Sequence, residues 1–127
     1  MSEIENQKIK NWPILLERRS LTLYTKDAIC YIQKNYKRNV SLNEAAEYIG
    51  VNSSYLSRIF KEDCGIGFVE YLNNVRISHA KQIIETNRMK LKDVVKEVGF
   101  NNYTYFFKVF KDVLNVTPVE YEKMCRH

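Results

Sequence analysis

Apolar residues recur along this chain at the spacing of amphipathic helices. Between residues 26 and 36, four of them fall on one helical face: Ala28, Ile29, Ile32 and Tyr36. A second pattern, from residue 68 to about residue 86, predicts a longer helix with apolar positions at Phe68, Leu72, Val75, Ala80, Ile83 and Ile84. No alternating stretch predicts a strand, so we expect an all-α fold.

Helix-capping residues divide the segment between these two patterns into two further helices. Ser41 and Glu44 have the spacing of a capping box, in which the hydroxyl and the carboxylate each accept a hydrogen bond from the other residue's amide. This predicts a short helix over residues 42 to about 49, ended by Gly50. Asn52 is a suitable N-cap for the next helix. We expect that helix to end near residues 64–65 and to bury Leu56, Ile59 and Phe60.

The chain contains an internal repeat. Residues 42–50 reappear as residues 91–99, and after one extra residue, residues 58–62 align with residues 108–112. Each copy is predicted to form a short helix, a turn containing Gly and a second helix, which is the helix-turn-helix plan. Two purely structural helical hairpins would give the same pattern. The composition of the exposed faces is therefore needed to distinguish structural hairpins from functional helix-turn-helix units.

Over most of its length, the exposed face of each second helix is polar or basic, and acidic residues return only at Glu62 and Asp112. The two faces carry Ser54, Ser57, Arg58 and Lys61 in the first copy, and Thr104, Lys108 and Lys111 in the second. Asp and Glu are absent from residues 48–61 and 98–111, although 15 of the 127 residues are acidic. Carboxylate-free surfaces at equivalent positions favour contact with the phosphates and base edges of a nucleic acid.

The overall composition supports this interpretation only weakly. The 20 basic and 15 acidic residues give a net charge of +5, but eight of the basic and four of the acidic residues precede residue 40. No apolar run approaches the ~20 residues that span a bilayer, and the N-terminus has no secretory signal pattern. The three cysteines are widely spaced. We therefore expect a cytoplasmic protein with free thiols, no disulfide scaffold and no membrane partner.

The two copies resemble the two halves of the AraC/XylS-type DNA-binding domain of bacterial transcription regulators. The first match consists of residues 51–61 followed by Gly65, Phe68, Tyr71, Leu72 and Arg76. The second consists of residues 98–103 followed by Tyr105, Phe106, Phe110, Lys111 and residues 116–121. The resemblance covers about residues 25–124, and residues 25–75 are most similar to the output domain of YesN-type response regulators.

The resemblance implies a homeodomain-like, AraC-type architecture, in which a long connecting helix joins two helix-turn-helix subdomains. We expect residues 1–22 to be a linker or N-terminal extension and residues 23–127 to form the domain. Its first unit would span about 25–66, the connecting helix 67–87 and the second unit 88–124. A helix of about 19 residues is ~28 Å long, which is compatible with half-sites ~34 Å apart. One chain could then read two successive major grooves.

In this family the second helix of each unit reads DNA, which places the recognition helices at about residues 53–63 and 102–113. By resemblance, the expected base contacts come from Ser53, Ser54, Ser57, Arg58, Tyr103, Thr104, Phe107 and Lys108. The expected contacts with the DNA backbone come from Tyr55, Lys61, Asn102, Tyr105 and Lys111.

Arg58 carries the strongest base-contact prediction, because a guanidinium can bind guanine O6 and N7 with two hydrogen bonds. Its alternatives are a phosphate contact and a surface ion pair with Glu62. Lys108 stands at the position equivalent to Arg58 but lacks the planar guanidinium, so we expect weaker discrimination between bases at Lys108. Phe107 stands where the family has a small polar residue, and either contacts a thymine methyl or packs on a neighbouring helix. Tyr105 either reaches DNA or is buried.

Other departures from the family pattern concern packing. Val95 replaces the usual Ala, Asn115 replaces a Gly, and Lys90 leaves the second short helix poorly capped. Arg76 is interpreted as structural. Aromatic residues at helical spacing are expected in the core: Phe60, Tyr71, Phe100, Phe106 and Phe110.

Two other classes of function compete with DNA binding. For an enzyme, Cys64 and His79 are the one nucleophile and base worth considering, and nothing in the sequence places them together. The sequence has no Gly-rich phosphate loop and no H-E-x-x-H motif, so we expect no catalytic residues, metal site or cofactor. The other alternative is a protein-interaction module that keeps the helix-turn-helix shape without binding DNA.

The expected partner is double-stranded promoter or operator DNA, with RNA polymerase as a second partner. Family members either consist of little more than this domain or carry it behind a sensing or receiver domain. The YesN-type resemblance favours a response-regulator output domain that works with an upstream receiver or sensing domain. A complete small regulator is the alternative.

Overall fold

The computed structural model describes residues 21–86 and 88–126, and these residues form seven helices and no strand. The helices are α1 (Leu23–Asn35), α2 (Leu42–Ile49), α3 (Ser53–Cys64), α4 (Phe68–Thr86), α5 (Leu91–Glu97), α6 (Tyr103–Leu114) and α7 (Pro118–Cys125). The predicted all-α fold is confirmed. Of the predicted N-terminal linker, residues 1–20 lie outside the described residues.

Helices α1, α2 and α3 form the first unit around a single core. Its largest fully buried residues are Ile32, Leu56 and Phe60. Helix α1 begins three residues before the predicted apolar pattern because Thr22 caps it, accepting a hydrogen bond from the Thr25 amide at 3.3 Å. The Thr22 amide and hydroxyl also donate to the Asp63 carboxylate, at 3.1 and 3.0 Å. These bonds tie the start of α1 to the end of α3.

Only half of the capping box predicted for α2 is formed. The Ser41 hydroxyl accepts from the Glu44 amide at 3.1 Å, as predicted. The prediction for the Glu44 carboxylate was wrong, because this group pairs with Arg38 at 2.6 Å and accepts from the Tyr31 hydroxyl. The hydrogen bonds from Arg38 and from Tyr31 hold the pKa of Glu44 below its ordinary value. The Glu44 carboxylate therefore binds Arg38 and Tyr31, which lie outside its own helix, in place of the Ser41 amide.

The connecting helix α4 contributes to two separate cores. Its first half supplies Phe68, Tyr71, Leu72 and Val75 to the first core, and its second half supplies Ile77, Ala80 and Ile84 to the second. The helix has 19 residues, so it is about 28 Å long. Each unit is thus built on one end of the same rod.

Helices α5, α6 and α7 form the second unit. As predicted, α5 has no side-chain cap, because Lys90 offers no oxygen acceptor at that position. Asn115 ends α6 in the left-handed conformation with φ 65°, as Gly65 ends α3 with φ 82°. Since Asn tolerates this conformation better than most residues, the replacement of Gly leaves the turn intact.

The aromatic residues predicted to lie in the core are all buried. None of them is more than 3% exposed: Phe60, Tyr71, Phe100, Phe106 and Phe110. Within the described residues, no helix combines the length and the apolar character that a membrane crossing requires. The buried apolar residues form the cores of the two helical units.

Candidate nucleic-acid interface

Helix α3 presents the polar face that the sequence predicts. The turn that precedes it passes through Gly50, whose φ is 84°, and reaches Asn52. The Asn52 side chain caps the helix by accepting from the amides of Ser54 and Tyr55, at 2.9 and 3.1 Å. Of the six residues of α3 predicted to contact DNA, Ser53 is half-buried. The other five are exposed: Ser54, Tyr55, Ser57, Arg58 and Lys61.

Arg58 has two neighbours on its own helix. Its Nη1 lies 3.3 Å from Glu62 Oε1, and its guanidinium carbon lies 5.2 Å from the centroid of the Tyr55 ring. The surface ion pair considered as an alternative is therefore present in the free protein. The Arg58 and Glu62 side chains are 60% and 59% exposed, and such pairs contribute only about 0.3–0.5 kcal/mol. The pair is weak enough to open when a ligand binds.

Helix α6 repeats this arrangement in the second unit. The Asn102 side chain accepts from the Tyr105 amide at 2.9 Å and so caps α6 as Asn52 caps α3. Its expected contact with the DNA backbone stays a prediction. The exposed residues of α6 include Tyr103, Thr104, Lys108 and Lys111, while Phe106, Val109 and Phe110 are buried.

An aromatic pair lies at the beginning of α6. Phe107 is half-buried, and its ring centroid is 6.3 Å from that of Tyr103 on the same helix. Tyr103 in turn lies 6.2 Å from the ring of Phe106 in the core. The partly exposed Phe107 ring gives this end of α6 an apolar surface, which is the chemistry that suits a thymine methyl.

Tyr105 joins α6 to the connecting helix. Its hydroxyl accepts a hydrogen bond from Asn73 Nδ2 at 2.8 Å, and its ring packs edge-on against Phe100 at 5.9 Å. The side chain nevertheless remains 45% exposed, so the alternative that it is buried was wrong. The hydroxyl still has its own proton to donate. Sequence reasoning missed Asn73, whose only signal was a polar residue within the apolar pattern of α4.

A cavity of about 390 Å³ is lined by residues of both α4 and α6, among them Lys108. Glu70 of α4 and Asp112 of α6 line the same cavity. Lys108 therefore shares this cavity with two carboxylate side chains, although α6 has no acidic residue before Asp112. The weaker discrimination expected at this position stays a prediction. Sequence reasoning also missed Glu70, because only the packing of α4 on α6 brings it there.

The two residues considered for an enzyme have different neighbours. His79 stacks on the Tyr36 ring, with centroids 4.2 Å apart and planes inclined by 8°. Burial, and then the charge of Lys37, lowers the pKa of His79. Cys64 packs against the core of the first unit. Each residue is thus part of the packing of the fold.

Comparison with known proteins identifies the family. A family model described as a helix-turn-helix domain matches residues 45–124, which include α3, α4, α5 and α6 in full. The chain belongs to the AraC-type helix-turn-helix family. This AraC-type family is one of transcription regulators and not of enzymes, which fits the expectation of no catalytic activity.

Bacterial transcription regulators are similar to the AraC-type chain in sequence. An HTH-type transcriptional regulator from Staphylococcus aureus is 35% identical over 91 residues, which are 72% of this chain and 12% of that protein. The HTH-type transcriptional regulator YisR from Bacillus subtilis is 29% identical over 98 residues, which are 77% of this chain and 34% of YisR. The chain therefore spans only a fraction of the length of these relatives.

Solved structures share the fold of the AraC-type chain. The C-terminal domain of the response regulator AraT from Geobacillus stearothermophilus is 28% identical, with a TM-score of 0.78 over 82% of this chain and 87% of that one. The C-terminal domain of the response regulator YesN from Fusobacterium nucleatum is 29% identical, with a TM-score of 0.74 over 80% and 99%. The DNA-binding domain of AdpA, solved with a target DNA, has a TM-score of 0.75 over 81% and 93% at 16% identity, which shows the fold alone.

Proposed function

We propose that the AraC-type domain binds double-stranded DNA sequence-specifically, with α3 and α6 in successive major grooves on one face of the duplex. In this proposal it regulates bacterial transcription in the cytoplasm, on promoter DNA and beside RNA polymerase. The family of transcription regulators to which the chain belongs supports this function.

The observation that carries the proposal is the equivalent presentation of α3 and α6. Each begins at an Asn cap and ends at a left-handed residue, Gly65 or Asn115. Each buries an apolar face and exposes a basic and hydroxyl-bearing one. The two helices pack with opposite halves of a connecting helix about 28 Å long, and we expect this spacing to be compatible with half-sites one helical turn apart, ~34 Å.

Within this interface the proposed roles follow from side-chain chemistry. Arg58 and Lys108 contact base edges, and Arg58 discriminates more strongly because its planar fork matches guanine. Lys61 and Lys111 contact phosphates, which adds affinity for every sequence. The other predicted contacts keep the assignments given above: base edges for Ser53, Ser54, Ser57, Tyr103, Thr104 and Phe107, and backbone for Tyr55, Asn102 and Tyr105.

Selection of binding sites from a random duplex library, at two salt concentrations, tests the proposal. The wild-type chain should enrich two sequence blocks about ten base pairs apart. The double variant Arg58→Ala, Lys108→Ala should lose the enrichment. The control Lys123→Ala removes one charge from an exposed position of α7 and should keep it.

Two results would contradict the proposal. Salt-sensitive binding without enrichment would show that this chain has no sequence preference by itself. No binding even at low salt would refute DNA binding and favour the protein-interaction module.

We also infer that the domain is the output domain of a two-component response regulator. The support is its similarity to the AraT and YesN domains, which both come from response regulators. If so, the full-length gene product should take up one phosphoryl group on an aspartate from acetyl phosphate, and its affinity for the selected duplex should change. A full-length product that takes up none would contradict this part of the proposal.

A further inference from the structure

The two helix-turn-helix units differ at one equivalent position. Gly50 and Gly99 occupy the same place in the turn of each unit, with φ 84° and 95°. A Cβ atom at Gly50 would meet nothing within 4 Å, whereas one at Gly99 would lie 2.3 Å from the backbone oxygen of Tyr36 and 3.0 Å from Arg76 Nε. The turn of the second unit is therefore packed directly against the first unit, and the turn of the first unit is not packed in this way.

Arg76 of the connecting helix binds both sides of this contact. Its Nε donates to the Tyr36 carbonyl and its Nη2 donates to the Arg38 carbonyl, both at 2.8 Å. Its guanidinium carbon lies 5.5 Å from the centroid of the Phe100 ring, which follows the Gly99 turn. The residue is only 8% exposed, and burial lowers the pKa of its guanidinium. Its two carbonyl partners offset part of the cost of burying the charge.

Two further pairs flank Arg76. His79 stacks on Tyr36, and Lys37 Nζ forms an ion pair with Glu97 Oε2 at 2.9 Å. Glu97 is the last residue of α5, so this pair also links the loop after α1 to the second unit. We call this whole set of contacts the inter-unit joint; it consists of Tyr36, Lys37, Arg38, Arg76, His79, Glu97, Gly99 and Phe100.

The inter-unit joint gives the two units a second connection beside the connecting helix. The connecting helix α4 alone fixes the distance between the two units more firmly than it fixes the rotation of one unit relative to the other about the helix axis. The joint opposes that rotation, because the loop after α1 is held both by Arg76 and by the turn at Gly99. Such rotation affects how the two units fit the DNA. Each base pair added between two half-sites increases their separation by ~3.4 Å and, at about 10.5 base pairs per turn, turns one half-site relative to the other by roughly 34°.

We propose that the inter-unit joint sets the half-site spacing that the domain binds, with Gly99 and Arg76 as positioning residues. This inference rests on the proposed function. Neither residue has to contact DNA for this role, since each fixes the orientation of α6 relative to α3. Disturbing the joint should change the preferred spacing while leaving the preferred bases in each half-site unchanged.

Binding to a series of duplexes tests this inference. The series carries the two selected half-sites at the selected spacing and at spacings one and two base pairs shorter and longer. For the wild-type chain, a change of one base pair should weaken binding at least about tenfold, comparable to the loss of one or more base contacts. Gly99→Ala should reduce that ratio to below about threefold or move the optimum by one base pair.

Gly50→Ala is the matched control, because it places Ala at the same positive φ without the close neighbours. It should weaken binding by a similar factor at every spacing and keep the wild-type optimum. Arg76→Lys keeps the charge but removes the fork that holds two carbonyls, and should broaden the spacing profile as Gly99→Ala does. Circular dichroism and thermal unfolding establish which variants are folded, and if Gly99→Ala is not, Arg76→Lys decides the question.

The outcomes separate this inference from the function on which it rests. A folded Gly99→Ala or Arg76→Lys chain with the wild-type spacing ratio would overturn the role of the joint while leaving DNA binding intact. A wild-type chain that selects no two-block site would instead refute the proposed function, and the inference with it.

Discussion

Removing the Glu62 carboxylate should strengthen binding to the selected duplex. In the free protein, Arg58 Nη1 lies 3.3 Å from Glu62 Oε1, and a two-armed contact with guanine that uses Nη1 requires that this pair open. An exposed pair at this helical spacing contributes about 0.3–0.5 kcal/mol. Since about 1.4 kcal/mol is a tenfold change in affinity, Glu62→Gln should improve binding about twofold through the release of Arg58.

A double-mutant cycle isolates this effect from general charge repulsion. Fluorescence anisotropy at one fixed salt concentration would compare the wild-type chain, Glu62→Gln, Arg58→Ala and the double variant. Arg58→Ala should cost about 1–3 kcal/mol on the selected duplex and relax the preference at one base pair. In the Arg58→Ala background, the additional gain from Glu62→Gln should disappear.

Two results would contradict these roles of Glu62 and Arg58. An equal gain from Glu62→Gln in both backgrounds would mean that Glu62 acts by repelling phosphates and not by competing for Arg58. A uniform loss on every duplex from Arg58→Ala would make Arg58 a phosphate contact and not a base contact.

Three further predictions follow from single contacts. Lys111→Ala should weaken binding to all duplexes about equally and reduce the slope of log affinity against log salt by about one, whereas a sequence-dependent loss would contradict the phosphate role. Asn115→Ala should lower the free energy of unfolding by about 1 kcal/mol, because Ala tolerates a positive φ less well; urea denaturation with an unchanged midpoint would contradict it. The Thr117 amide donates to Glu120 and lowers the pKa of Glu120 from 4.5. The stabilisation that ionised Glu120 gives the fold should be complete above pH 4.5 and lost as the pH falls through the lowered pKa. Between roughly pH 5 and 3, the thermal midpoint of Glu120→Gln should therefore fall less than that of the wild-type chain. Parallel midpoint curves for the two chains would show that the Glu120 carboxylate does not stabilise the fold in this way.

Local patterns were enough to predict α1 to α6 and most of the exposed faces, whereas α7 was not predicted. Gly50 and Asn52 end one helix and begin the next through contacts within four residues, so the sequence carries that information directly. Arg58 and Lys61 lie on the exposed face because helical periodicity alone separates them from the buried Leu56. The start of α1 was missed because Thr22 caps it while bonded to Asp63, 41 residues away.

Side-chain partners on other elements of the fold could not be predicted in this way. Glu44 had a suitable local partner but is held by Arg38 and Tyr31 instead. Arg76 was correctly interpreted as structural, yet its carbonyl acceptor at Tyr36 is 40 residues away in sequence. Helical spacing shows which face a residue occupies, but only the packing of whole units shows what that face meets.

Guanine-N7 methylation interference on the selected duplex tests the proposal that one chain reads two successive major grooves. The binding stoichiometry, measured alongside, should be one chain per duplex. Interference should occur in two blocks about ten base pairs apart on one face of the DNA. Two chains per duplex, with interference confined to a single block for each chain, would contradict the proposal.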